Sequence, residues 1–189
     1  ARLARRFAGE LVHPVSTPPD ATPDADAAVD VGLDPYLPAT GMSWRVALAW
    51  CESNGLSLPT ESEWEYAARA GQESLFTTGN DPDGVSAAAN IGQQMIGPGA
   101  QVVGLSAPNR WGLYDLHGNA AEWTLDSWIP DYQGAPTDGS ARSLPGTPIA
   151  FVIRGGDWTW GPYDTRLASR FGARAEGYYG VGLRPVIRP

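Results

Sequence analysis

The sequence predicts a loop-rich α+β domain with short helices and a small sheet. Three observations lead there. First, 23 glycines and 17 prolines are spread along 189 residues with no period, which marks turns and irregular connections and breaks up long helices. Second, apolar residues recur at helical spacing only over short, capped runs between residues 43 and 71. Residues 123–128, 151–154 and 181–187 are instead runs of strand length with aromatic or β-branched residues. Third, hydrophobic residues make up 42% of the chain, with eight tryptophans and seven tyrosines. That is ample for one core, and a single domain over residues 1–189 follows from the length. Each indole N–H and phenol O–H needs a partner when buried, so this core suits a fold whose loops bring backbone carbonyls inward.

In chain order, residues 1–11 set Leu3, Phe7 and Leu11 on one side of a helix and Arg2, Arg5 and Arg6 on the other. Residues 13–38 are rich in Pro, Asp and Ala, with few large apolar groups, and predict a loop or flexible arm. Ser43 caps a helix carrying Trp44, Ala47, Leu48 and Cys51, which stops at Asn54-Gly55, where a left-handed residue costs little. Thr60 with Glu63 forms a capping box ahead of Trp64, Ala67 and Ala68, and Gly71 closes that helix. Along it, Glu61, Glu65 and Arg69 follow at spacings of four, the usual geometry of a paired surface row. Residues 72–108 are turn-rich, and 101–105 is their best strand candidate. Residues 123–128 and 151–154 are buried strands, and 181–187 completes the sheet. The polar Gly/Pro/Ser/Thr stretch 130–148 is a surface loop.

A formal charge of −8 argues against nucleic acid, because binding a polyanion needs a concentrated cationic face. All thirteen cations are arginine, which reflects genome composition before any wish for guanidinium forks. One cysteine, Cys51, excludes an intrachain disulfide and cannot build a thiolate metal site alone. No apolar run has the length of a membrane span, and no signal peptide is visible, so a soluble chain of unassigned location is expected.

Four blocks carry a stronger signal. They are residues 58–71 (LPTESEWEYAARAG), 111–123 (WGLYDLHGNAAEW), 152–158 (VIRGGDW) and 180–184 (GVGLR). In order and spacing they resemble the formylglycine-generating-enzyme or sulfatase-modifying-factor domain, over about residues 38–188. The resemblance implies a variant of the C-type lectin fold with a small, mainly antiparallel sheet. The family's opening strand is not visible upstream, so either a fragment or a chain that has lost an upstream part is expected.

The resemblance also implies a calcium site on the loop 115–122, with Asp115 and Glu122 as side-chain ligands and Gly118 and Ala120 as carbonyl ligands. Hard oxygen donors suit calcium. The same carboxylates can equally accept loop amides or pair with an arginine, so both readings stand, and no cofactor is required. Asn90-Ile91 resembles the start of a second family site, whose acidic partner is not recognisable in residues 93–101. His117 and His13 lack a second His or Cys at ligand spacing and are read as loop or core residues. Cys51 lies on an apolar helix face and is read as an inert buried thiol.

The copper-dependent members of the family hold their metal with two cysteines shortly after the Gly-Gly pair, because thiolates bind Cu(I). Here Trp160 and Thr165 fall at or near those positions. No catalytic residue is therefore assigned. The arrangement Arg154-Gly155-Gly156, Arg166, Arg170, Gly182 and Arg184 also resembles the frame of variable proteins diversified by retroelements. Between the frame residues stand Asp157, Thr159, Trp160, Tyr163, Asp164, Ser169, Phe171, Ala173, Glu176, Tyr178 and Tyr179. This mixture of rigid aromatics and small adaptable residues has the composition of a paratope. The expectation is a noncatalytic binding or display protein whose C-terminal region, 152–188, contacts a protein or other macromolecule. The alternative is a metal-dependent oxidoreductase of the formylglycine-generating type, or an inactive structural homologue.

Overall fold

The computed structural model describes residues 36–188 except 96 and 98. The expected helix over 1–11, most of the arm over 13–38, and His13 lie outside the described residues.

Two helices pack beside the sheet. Helix α1, Trp44–Ser53, starts where the Ser43 side chain accepts from Val46 N–H, and ends at Asn54. Its inner face is Ala47 and Cys51, both fully buried. Helix α2, Glu61–Arg69, carries the capping box in full: Thr60 Oγ1 accepts from Glu63 N–H, and Glu63 returns the bond to Thr60 N–H. It closes on Ala70 in the left-handed conformation (φ 46°), one residue before Gly71. A third helix, α3, Pro82–Ala88, was not expected in the turn-rich stretch. Its signal was Asp81-Pro82, an N-cap carboxylate that accepts from Asp83 N–H followed by a proline at the first helical position.

Four strands form one sheet in the order β3-β2-β1-β4. Strands β1 (Ala121–Ser127) and β2 (Ala150–Arg154) pair antiparallel, β3 (Phe171–Arg174) pairs antiparallel with β2, and the short β4 (Val181–Gly182) runs parallel to β1. The sheet is thus mainly antiparallel. The 181–187 strand is shorter than expected, continued only by a bridge between Ser57 and Val186. Residues 101–105 are not a strand: Val103 N–H donates to Tyr36 C=O, and the chain turns at Gly104 (φ 80°). Residues 130–148 form the expected loop.

The main core joins α1 to the sheet through Leu58, Trp123, Phe151, Ile153 and Val181. Trp44 stacks on Phe151 with ring centroids 3.7 Å apart, and its indole N–H donates to Thr124 C=O. A smaller cluster holds Trp64, Ala68, Leu116 and Leu167. Trp123 finds an acceptor at Met42 C=O and Trp64 at the Glu122 carboxylate, whereas the buried Trp158 indole N–H has no hydrogen-bond partner among the described residues. Among the described residues, no helix is long and apolar enough to cross a membrane.

Candidate functional site

The C-terminal region is built on an anchored backbone. Strand β2 ends at Arg154, and Gly155 and Gly156 turn the chain with φ of 82° and 75°. Only glycine fits at 156, where a Cβ would stand 2.8 Å from Thr165 and 2.9 Å from Trp160. Asp157 follows, buried, and its carboxylate gathers the region: it accepts from Thr159 N–H and Oγ1–H. Tyr178 also donates to it, and burial together with the Asp157 charge pushes the Tyr178 phenol pKa up. The chain presses against this carboxylate at Gly180, where a Cβ would lie 2.3 Å from Oδ2. One buried acid therefore ties residues 157–159 to 178–180.

Beneath lies a charge network. The Arg154 side chain is fully buried, donates to Glu65 at 2.6 Å and Leu167 C=O at 2.7 Å, and lies 5.1 Å from the Trp64 ring centroid. Glu61 accepts from Arg170 through both oxygens, at 2.6 and 2.8 Å, and from Arg154 at 3.4 Å. Arg170 also contacts the faces of Trp128 and Tyr132. Arg69 also pairs with Glu65 at 2.8 Å, so both carboxylates and the buried guanidinium are paired and hydrogen-bonded, which is the condition for burying charge. Of the expected surface row, Glu65 and Arg69 do pair, partly exposed, whereas Glu61 is buried and belongs to the interior frame. The sequence could not show this, because the Arg154 and Arg170 partners of these carboxylates stand 89 to 109 positions away.

The eleven residues expected on the face divide by exposure. Tyr163, Asp164, Glu176, Tyr178 and Tyr179 are exposed. Thr159, Trp160 and Phe171 are half-buried, with Trp160 edge-on to Phe171 at 4.4 Å and both packed on the core. Asp157, Ser169 and Ala173 are buried and belong to the frame. Residues outside the expected set adjoin it. Gly92 and Gln93 N–H donate to the carbonyls of Trp160 and Trp158, both at 2.8 Å, bringing the loop with the exposed Met95 alongside. Trp128 covers Gly172.

Trp160 and Thr165 occupy packed positions; Thr165 is fully buried and donates to Pro162 C=O. Cys51 is far along the chain in α1, fully buried, with its thiol pushed up to about 12 by burial and the Glu52 charge. Nothing here supplies a thiolate. In the loop 115–122, the Asp115 carboxylate accepts from the N–H groups of Gly104 and Ser106 and from the Ser106 hydroxyl. Glu122 receives Arg184 on both oxygens and the Trp64 indole N–H at 2.6 Å. The Gly118 carbonyl accepts from Ala120 N–H. So placed, both carboxylates are engaged by donors of the chain, as in the hydrogen-bonded alternative, and a calcium ion here would have to displace them. Asn90 belongs to an all-amide cluster, donating to Asn119 Oδ1 and Gly99 C=O and accepting from Gln93. Gln101 joins through its backbone, donating to Asn119 Oδ1 at 2.8 Å. Among the described residues, no group of three His, Cys, Asp or Glu side chains is placed to hold a metal.

Comparison with known proteins agrees with this architecture. The model of the sulfatase-modifying factor enzyme 1-like domain matches residues 12–188, and the chain belongs to that family. It is 38% identical over 115 residues to the formylglycine-generating enzyme of Bos taurus, covering 54% of this chain and 30% of that protein. It is 37% identical over 107 residues to the inactive C-alpha-formylglycine-generating enzyme 2 of Mus musculus, covering 50% and 33%. The matched part thus spans about a third of these relatives. Among solved structures, PvdO from Pseudomonas aeruginosa superposes with a TM-score of 0.73 at 29% identity, over 80% of this chain and 62% of that one. Variable protein 1 of Treponema denticola superposes with a TM-score of 0.67 at 22% identity, over 82% and 72%, a likeness of fold.

Proposed function

We propose that this chain is a noncatalytic binding domain of the retroelement-diversified type, presenting its C-terminal region to a protein partner. One observation carries the reading: Tyr163, Asp164, Glu176, Tyr178 and Tyr179 are exposed on backbone that buried groups hold in place. Rigid aromatic side chains on a preorganised backbone lose little entropy on contact, which suits recognition. The shared fold with the Treponema variable protein and the likeness to a relative named inactive support it. The oxidoreductase alternative needs metal ligands after Gly156, where Trp160 and Thr165 serve packing.

The test replaces Tyr163, Tyr178 and Tyr179 together by serine. Surface substitutions each stay within about 0.5 kcal/mol, with about 1 more for the lost Tyr178 to Asp157 bond. The expected loss is therefore under about 2.5 kcal/mol, read from denaturant midpoints. Arg154→Met, which removes the guanidinium buried against Glu61, Glu65 and the Leu167 carbonyl, is the comparison and should cost about 3–5 kcal/mol. Unfolding of the triple variant to the extent of Arg154→Met would make these tyrosines structural and remove the display face.

A further inference from the structure

Strand β3 is the outer strand of the sheet, and its pairing with β2 decides which of its backbone groups stay free. In an antiparallel ladder, residues alternate between those bonded to the partner strand and those whose groups point away. The Ala175 N–H donates to Ile149 C=O at 2.9 Å, which sets the alternation: Phe171 and Ala173 bond toward β2, while Gly172 and Arg174 point outward. The register partners of Arg174 and Gly172 agree. They are Ala150 and Val152, whose carbonyls face β1, accepting from Trp128 N–H at 3.0 Å and Thr124 Oγ1–H at 3.1 Å. The Arg174 carbonyl is used by Gly177 N–H. That leaves the Gly172 N–H, the Gly172 carbonyl and the Arg174 N–H without a hydrogen-bond partner among the described residues. Gly172 and Arg174 are both exposed.

The edge has walls. Trp128 covers one face of Gly172, with ring atoms 2.3 to 2.5 Å from where a Cβ would be, and Phe171 backed by Trp160 borders it within β3. Beyond Arg174 the chain leads directly to Tyr178 and Tyr179. We propose that the partner docks here as an extended peptide segment, adding a fifth strand to the open edge of β3. This rests on the reading of the C-terminal region as a binding face and names the conformation of what it binds. Two donors and one acceptor at strand spacing recognise extended backbone whatever its side chains. Trp128 and Arg174 on one face, and Phe171 on the other, then meet the two alternating sets of side chains of the added strand. The shortness of β3 and the charge of Arg174 limit indiscriminate edge pairing.

The test selects random linear peptides on phage against the full chain and follows amide hydrogen exchange with a selected peptide bound. In the free chain, the Gly172 and Arg174 amides should exchange fast; the peptide should slow both by about tenfold or more. Arg174→Pro, which deletes an outward N–H and leaves the β2 bonds intact, should abolish peptide binding, while Arg174→Ala retains most of it. If Arg174→Pro fails to fold, the exchange data on the unsubstituted chain decide. Peptides that depend on Tyr163, Tyr178 and Tyr179 but leave both amides exchanging freely would overturn edge docking and keep the binding face. Protection already present in the free chain would show the edge covered from within and overturn the proposal. Failure to select any peptide would count against both.

Discussion

His117 shows how a single side chain fixes a loop. Its Nε2 accepts from Thr77 N–H at 3.0 Å, so Nδ1 carries the proton and donates to Thr165 C=O at 2.7 Å. The buried ring is therefore neutral, and burial holds its pKa below the usual imidazole value. The sign follows from linkage. The unfolded chain takes up a proton near pH 6.5, and the folded one resists until a lower pH, so the stabilisation is complete above about 6.5 and lost as pH falls through the folded value. Urea midpoints should fall between about pH 7.5 and pH 5, and His117→Gln should flatten that slope at the cost of lower stability throughout. An unchanged slope in the variant would mean that other groups govern the acid limb. Asp126 is not such a group: burial raises its pKa although it accepts from Glu61 and Arg142 N–H, so the folded chain takes up that proton before the unfolded one and its contribution grows as pH falls. The proton equilibria that trim the fold thus sit in the frame, beneath the exposed tyrosines.

Strand β3 joins the frame to the face. Gly172 lies under the Trp128 ring, and any β-carbon there must push the indole off its contact with Arg170. Gly172→Ala should cost about 1–3 kcal/mol by overpacking, measured by denaturant midpoint, and Trp128→Ala in the same chain should relieve that increment. Additive losses would show that the two do not touch in solution. Nothing local marks this glycine, which is why the strand was not legible in the sequence: four residues with a glycine inside have weak strand character, and what holds them is β2 and a tryptophan from the 128 loop. The helices were legible because their signals are local. Ser43, Thr60 and Glu63 cap within three or four positions of themselves. The site was legible only in part for the same reason. Exposure of Tyr163 and Tyr179 follows their place in a single 3-10 turn and a turn, whereas the inward position of Asp157 and Ala173 depends also on Tyr178, Gly180 and strand β2, which lie some twenty residues away.

In the molecule entire, one ion pair and two sets of hydrogen bonds stand where the family resemblance implies calcium. Glu122 is filled by Arg184, Asp115 by loop donors, and the Asn90 cluster by amides. The melting temperature should therefore be the same in excess chelator and in millimolar calcium, because only an ion that binds the native state shifts the equilibrium. A rise of several degrees with calcium would show that the carboxylates exchange Arg184 for the ion. The sheet closes with Thr40 bridged to Gly182 and Gly41 N–H on Val181 C=O at 2.9 Å, so residues 40–41 and β4 are fastened to each other. Fraying of either one therefore loosens both, and the proposed binding face stands on a base that opens as one unit.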